Sequence, residues 1–356
     1  MSKDIPTNTR LTTLDVTKGF ILIIMASLHC GAFFSQRLTS APFLLLDPFI
    51  FPSFLLYFGI GNSLSRRPKR LGGLGKLLVI YLLGGLPSAV VTYLKNHKGV
   101  SASRIPAIAY EQLVDAVTLK NRLEYANFLV PFIVAFAIFL GIQFLFKEFN
   151  RRTLAVALGL SVIFYVAGDV LAQVAPDSPF QDLYSQDFRC LQSMPIFIAG
   201  ICLGLFLRQN GKIPVLKPQT LAGITLIFFV LIITSYLQYD DLYLTGNSWK
   251  KSGQSSYVLF SIIVSILLLF IANSVITSRL VQERFSLITA LLQKIGNRAL
   301  KCLWIQFLLF PIAGYLVSSS FIEPLRMLLA LAAIGLMCWL TVDDQLSWSS
   351  QRKKRS

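Results

Sequence analysis

The chain has few of the residues from which soluble enzymes build reaction centres. It contains two histidines and five cysteines in 356 residues, only 14% of its residues are charged, and no two cysteines share CxxC spacing. This cysteine pattern indicates neither a zinc site nor a disulfide framework. The sequence also lacks a Walker A loop, a GxSxG elbow and an HExxH motif. It therefore gives no support to P-loop, serine-hydrolase or zinc-protease chemistry.

Apolar residues dominate instead. Hydrophobic residues make up 54% of the chain and the mean hydropathy is +0.65, which excludes an ordinary soluble domain. An apolar run of ~20 residues is long enough to cross the hydrocarbon core as a helix. We therefore predict an all-α fold, a polytopic transmembrane helical bundle. The predicted spans, about ten by this criterion, are residues 14–35, 42–64, 75–94, 125–146, 154–175, 189–207, 219–238, 255–277, 299–318 and 324–342.

Basic residues set the predicted orientation. The net charge is +16, which in a membrane protein reflects cytoplasmic loops held against anionic headgroups rather than nucleic-acid binding. If the N-terminus is cytoplasmic, about two thirds of the basic residues lie on the cytoplasmic side, as the positive-inside rule requires. Both termini are thus predicted to be cytoplasmic. In this prediction residues 1–343 form a single membrane domain and residues 344–356 a basic tail.

The first apolar run carries two ionisable groups on one face. Lys18 and His29 are eleven residues apart, which on a helix is ~16 Å of rise and only ~20° of rotation. Asp15 falls on the same stripe. An ionisable group inside a membrane is energetically unfavourable, so His29 is a candidate functional residue. The alternative is a neutral histidine bonded to the carbonyl of a neighbouring helix.

His29 shares its predicted depth with two carboxylates. Counted from the outer ends of their spans, His29, Asp47 and Asp169 all lie ~6–9 Å below the outer surface. A carboxylate beside an imidazole fixes its tautomer and raises its basicity, so Asp47 or Asp169 is the predicted partner of a His29 general base. Arg189 and Gln192 enter the sixth span from the same side and are predicted to bind substrate. For each aspartate the alternative is a helix-capping role, which suits Asp47 because a proline follows it.

The cytoplasmic end of the first span faces a basic loop. Arg66, Arg67 and Arg70 follow the second span, and with Lys18 they form a cluster whose charges can hold the phosphates of a nucleotide-bearing donor. The alternative for the loop arginines is the positive-inside rule, which predicts them without any ligand. No resident cofactor and no metal ion are predicted.

The opening motif resembles that of the acyltransferase-3 family of integral membrane O-acyltransferases. The family's signature is an arginine, a Leu-Asp pair, Arg-Gly and a histidine, and it is matched here by Arg10, Leu14-Asp15, Lys18-Gly19 and His29. Lysine in place of the usual arginine is similar to a branch that includes sugar O-acetyltransferases, and the glucan-modifying succinyl- or acetyltransferase branch is a near neighbour. Residues 295–306 resemble a late helix that often ends in Tyr-x-x-His, with Gln306 at the position of that histidine.

The resemblance implies an enzyme. Its donor is a cytoplasmic acyl-CoA, acetyl-CoA in the first instance, and its acceptor is a hydroxyl of an extracytoplasmic glycan or glycoconjugate at the bacterial inner membrane. His29 is the implied catalytic base, Lys18 is the donor-side cation, and Asp15 and Gln306 complete the substrate-binding set. From the residues alone, two other functions stay open. One is a proton-coupled transporter or flippase that uses His29 and the aspartates, and the other is a non-catalytic assembly or sensor protein.

Overall fold

In the part of the chain that the structure describes, every element of regular secondary structure is a helix. The computed structural model describes residues 12–34, 47–65, 69, 71–97, 101–117, 123, 126, 128–175, 189–211, 213, 215–238, 255–317 and 322–343. Apart from two single-turn 3-10 segments, Ala102–Arg104 and Gln143–Leu145, the elements in these ranges are α-helices. In chain order they are α1 (Thr12–Phe33), α2 (Asp47–Leu64), α3 (Leu71–Asn96), α4 (Ile105–Val117), α5 (Leu129–Ile142), α6 (Arg151–Val174), α7 (Cys190–Asn210), α8 (Pro218–Gln238), α9 (Ser255–Ile276), α10 (Arg279–Arg284), α11 (Ser286–Asn297), α12 (Ala299–Leu316) and α13 (Glu323–Val342).

Seven of these helices are long and apolar enough to cross a membrane. The segments are Thr12–Cys30, Leu71–Leu94, Arg151–Val174, Cys190–Asn210, Tyr257–Ile276, Ala299–Leu316 and Glu323–Val342. Three shorter apolar helices occupy the remaining predicted positions, at Phe49–Leu64, Leu129–Leu145 and Pro218–Val230. The prediction of an all-α membrane bundle is confirmed. The number of spans and the cytoplasmic location of both termini stay predictions.

Glycines allow the most extensive helix contact in the bundle, between α2 and α7. A Cβ on Gly59 of α2 would overlap the Phe197 carbonyl, and a Cβ on Gly200 of α7 would overlap the Leu56 carbonyl. Lipid tails are as apolar as the side chains, so helices in a membrane associate through close packing rather than through escape from water. Small residues at these two positions are what let the backbones approach.

α1 lies in the interior of the bundle. Leu22, Ala26 and Cys30 are fully buried, and α1 packs against α2, α9, α11, α12 and α13. By contrast, α6 packs extensively only against α7 among the described helices, and it exposes an apolar face that includes Leu158 and Val174. In a membrane such a face contacts lipid. The helix with the Lys18–His29 stripe is therefore central, whereas the helix with Asp169 is peripheral.

The structure contains a helix that the span prediction does not include. The 12 residues of α11 fall in a predicted cytoplasmic loop, because they are too few to meet the ~20-residue criterion. Nevertheless, α11 makes the most extensive contact of α1. Gly19 of α1 and Gly296 of α11 permit this contact, since a Cβ at either position would overlap the backbone of the other helix. The helix α4 likewise lies in a predicted outer loop.

Contacts at one end of the bundle bring the first and last described helices together. Gly296, at the end of α11, lies against the Asp15 backbone near the start of α1. Arg298, between α11 and α12, donates to the Val342 carbonyl at the end of α13 at 2.7 Å. The start of α1 and the end of α13 therefore lie at the same end of the bundle. This is the arrangement that two termini on one side of the membrane require.

Candidate active site

Lys18 and Asp15 form an ion pair on α1. Lys18 Nζ lies 2.8 Å from Asp15 Oδ1, and the side chains are 18% and 2% exposed. The residues are one helical turn apart, so α1 alone brings them together. Asp15 is buried where Gly296 of α11 packs onto its backbone. Two residues predicted to bind substrate are thus in contact with each other. They lie beside α11, the helix that the span prediction did not include.

The stripe from Lys18 to His29 is closed in its middle. Lys18 and His29 are half-buried, whereas Leu22 and Met25 on the same stripe are 0% and 5% exposed. The two partly exposed groups therefore flank a buried apolar stretch of α1, ~16 Å apart by helical rise.

Hydrogen bonds place the start of α2 at about the depth of His29. Thr13 of α1 donates to Asn273 of α9, which lies about two turns beyond Ser265 on the same helix. Ser265 Oγ is in turn 2.9 Å from Ser53 Oγ of α2. Two turns of α9 and the six residues from Ser53 back to Asp47 add up to ~21 Å, against ~24 Å from Thr13 to His29. The structure describes the Asp47 backbone, which begins a helix that packs against α1. The Asp47 side chain lies outside the described residues.

Asp169 belongs to a second polar centre, between α6 and α7. Gln192 Nε2 donates to Asp169 Oδ1 at 3.4 Å, and Gln192 is 1% exposed. Gly168 makes room for this contact, since a Cβ there would overlap the Gln192 side chain. Arg189 directly precedes α7, and its buried Nε has no hydrogen-bond partner among the described residues. The structure thus groups three predicted site residues on the same two helices.

This second centre is separated from α1 by other helices. Of the described elements, α6 packs extensively only against α7, and α7 packs against α2, α5, α6 and α9. Because α2 and α9 contact both α1 and α7, they stand between the two polar centres. The helix arrangement therefore gives no support to Asp169 as the partner of His29. Asp47, at the start of α2, is closer to α1 in the packing order.

The predicted arginines Arg66, Arg67 and Arg70 lie outside the described residues, but their neighbour Lys69 is described. The Lys69 N–H donates to Gln143 Oε1 at 2.9 Å, and Gln143 Nε2 donates to the Lys69 carbonyl at 3.4 Å. Burial lowers the pKa of the Lys69 ammonium group. Gln143 thus fixes the backbone at Lys69. No sequence pattern points to Gln143, because its partner is loop backbone 74 residues away.

Gln306 lies in the bundle interior. It is 1% exposed and sits on α12, which packs against α1, α3 and α13. Its flanking residues on the same face, Cys302 and Phe310, are 0% exposed. The predicted substrate-binding residues are therefore divided between the region around α1 and the contact between α6 and α7.

The fold and these groups are those of an all-helical membrane protein that carries an ion pair and a histidine on one interior helix. The chain belongs to the OpgC protein family. The model of this family matches residues 76–351, well over half of the chain. This is a family of membrane acyltransferase-type proteins connected with glucan modification. Comparison with curated proteins and with solved structures returned no match.

The family match starts within α3 and runs past the end of α13. It therefore does not include α1, where the motif that resembles the acyltransferase-3 family is located. That wider resemblance stays a prediction from residues 10–29 and the late helix. Of its branches, the glucan-modifying one is the branch that the family match supports.

Proposed function

We propose that the protein is a membrane O-acyltransferase of the bacterial inner membrane. It transfers an acetyl, succinyl or other short acyl group from a cytoplasmic acyl-CoA to a hydroxyl of an extracytoplasmic glucan. The observation that carries this proposal is the OpgC family match over residues 76–351. The polar stripe of α1 supports it independently, because α1 lies outside the matched residues.

The donor binds at the end of the bundle where α1 begins. Lys18 meets the donor there as a point charge, and the Asp15 carboxylate 2.8 Å away holds its ammonium group in place. Arg66, Arg67 and Arg70 hold the phosphates of CoA, on a loop whose backbone Gln143 fixes at Lys69. Phosphates favour such cationic groups because charge-assisted hydrogen bonds are the stronger ones.

His29 is the general base of the transfer step. Its ring nitrogen takes the proton of the acceptor hydroxyl, the hydroxyl oxygen bonds to the thioester carbonyl carbon, and the carbon–sulfur bond breaks. The leaving CoA thiolate recovers the proton from the imidazolium, so the products are an ester and free CoA. General-base catalysis of this kind contributes roughly 10²–10⁴ in rate. Asp47 is the proposed carboxylate partner, because the α2 end that carries it is at the depth of His29.

The acceptor binds on the outer side. Asp169, Gln192 and Arg189 supply carboxylate, amide and guanidinium groups at the contact between α6 and α7, and hydroxyl groups of a sugar hydrogen-bond to all three kinds. In this proposal Asp169 orients the acceptor, and Asp47 serves the base.

Purified protein in lipid vesicles tests the proposal. Labelled acetyl-CoA or succinyl-CoA is supplied on one side of the membrane and glucan oligosaccharide on the other, and label in ester linkage to the glucan is the expected result. Absence of labelled glucan with both donors contradicts the proposal. The same vesicles test a proton-coupled transporter, which would move glucan without label and respond to a pH gradient. In cells, loss of one acyl modification after deletion supports the enzyme, whereas loss of the whole glucan supports the transporter.

A further inference from the structure

Gln306 presents a buried amide that no described residue satisfies. The residue is 1% exposed, and neither its Nε2 nor its Oε1 has a hydrogen-bond partner among the described residues. In folded proteins roughly 90% or more of buried polar groups are bonded to protein or to ordered water. A leucine would fill the same place without this penalty. An amide with both its donor and its acceptor unmet therefore points to a bound group.

The packing around α12 places α1 on the side of Gln306. Cys302 lies one turn before Gln306, and its Sγ is 3.7 Å from Met337 Sδ of α13. Phe307 lies against Phe128, with ring centroids 5.6 Å apart, and against α3. Gln306 is between these two directions on α12, and its burial means that the intervening side is covered. Among the described helices, α12 also packs extensively against α1, and it touches the adjoining α11 only slightly.

The depth of Gln306 matches that of His29. Cys302 is opposite Met337 on the antiparallel helix α13, and Cys30 Sγ lies 3.8 Å from the Ala330 carbonyl on the same helix. Seven residues separate the two positions on α13, so Cys30 is level with a point one turn beyond Gln306, ~5 Å of rise. Gln306 is therefore level with the stretch of α1 between the buried Leu22–Met25 segment and His29.

A second unmet polar group lies on α3, ~7 Å beyond the depth of Gln306 towards the His29 end of the bundle. Ser88 of α3 is 0% exposed, and its Oγ has no hydrogen-bond partner among the described residues. A helical serine usually donates to the carbonyl one turn earlier, which would satisfy it. Ser88 is one turn beyond Gly84, where a Cβ would touch the Phe307 ring. Two neighbouring helices thus each carry one unmet polar group close to the depth of His29.

We infer that Gln306 and Ser88 form a binding subsite for a neutral substrate group that both donates and accepts hydrogen bonds. The subsite rests on the proposed function and specifies what its interior binds. The flanking side chains Cys302, Phe307 and Phe310 are buried and uncharged, so the geometry suits an amide or a hydroxyl rather than a phosphate. An acyl-CoA carries amides in its pantetheine arm, and a glucan carries hydroxyls. Both sources offer the same hydrogen-bonding chemistry.

The test compares Gln306→Leu with Gln209→Leu in reconstituted protein. Gln209 is exposed, and its side chain bonds the Phe149 carbonyl, away from the proposed site. Loss of a buried hydrogen bond should raise one KM about tenfold, and the control should leave both KM values unchanged. A rise for acyl-CoA identifies the donor arm as the ligand, and a rise for glucan identifies the acceptor. Wild-type KM values for both substrates, together with a higher thermal midpoint, would show an unsatisfied structural amide and overturn the inference.

Two further measurements keep the result decisive. If Gln306→Leu does not fold, Ser88→Ala should raise the same KM severalfold, and unchanged kinetics would overturn the subsite. If the wild-type protein transfers no acyl group, the proposed function fails, and the thermal shift caused by acetyl-CoA or glucan oligosaccharide becomes the readout. A shift that Gln306→Leu abolishes supports the subsite without the reaction, whereas no shift, or one that the variant retains, rules it out.

Discussion

Gly296→Ala tests the contact between α1 and α11 most sharply. An added Cβ at this position would overlap the Asp15 carbonyl oxygen and crowd the Gly19 nitrogen. Both atoms belong to helix backbone and cannot rotate away as a side chain would. The substitution must therefore separate the two helices, and it acts on the segment that holds the Asp15–Lys18 ion pair.

The expected magnitude follows from two opposing effects. Overpacking of an interior typically costs about 1–3 kcal/mol, and a clash with backbone belongs at the upper end. Alanine regains at most about 1 kcal/mol over glycine in a helix, and less at Gly296 because this residue is the penultimate one of α11. The net destabilisation should be ~2 kcal/mol, about thirtyfold in the unfolding equilibrium. Gly159→Ala on α6 is the matched control, because nothing lies within 4 Å of its Cβ position, and it should be neutral or up to ~1 kcal/mol more stable.

Unfolding of both variants in the same detergent or lipid measures this difference. Gly296→Ala should also raise the KM for acyl-CoA, because the displaced α11 no longer holds Asp15 and Lys18 in position. If Gly296→Ala is as stable as Gly159→Ala, the described packing of α11 on α1 is incorrect.

Three other predictions concern orientation, the donor and the acceptor. Reporter fusions should give a cytoplasmic signal after Arg70, Arg152 and Arg355 and an outside signal after Arg104 and Asp182; a cytoplasmic signal at Asp182 contradicts the ten-span topology. Lys18→Ala should abolish transfer while Lys18→Arg retains part of it, and full activity of Lys18→Ala at normal protein level would leave Lys18 as an orientation charge. Asp169→Asn should raise the KM for glucan more than it lowers kcat. A loss of kcat as large as that of His29→Ala would instead indicate that Asp169 is the carboxylate partner of His29.

Periodic and compositional features made most of the fold predictable. Apolar runs of about 20 residues produce a strong signal in a membrane protein, and each predicted run overlaps a helix in the described part of the chain. The span criterion did not predict α11, because this helix has too few apolar residues for a span. Its position depends on glycine contacts with α1. Such contacts depend on which helices are neighbours, and this information is not contained in local sequence.

The candidate site was predictable only where it lies on one helix. Asp15 and Lys18 are one turn apart, so their contact follows from helix geometry alone. The pairing of Asp169 with Gln192 depends on the packing of α6 against α7, and a count of depth alone cannot distinguish it from a pairing with His29. The hydrogen bonds between the Gln143 side chain and the Lys69 backbone likewise have no sequence signature.

His29→Ala tests the central claim most directly. The measurement is transfer of label from acetyl-CoA or succinyl-CoA to glucan by purified protein in lipid, with His29→Gln as a second variant and thermal unfolding as the check on folding. The side chain is half-buried on an interior helix, so both variants should fold and insert. Loss of a general base should lower the rate roughly 10²–10⁴-fold, to background. Transfer by folded His29→Ala at the wild-type rate would contradict the mechanism and leave His29 with a structural role.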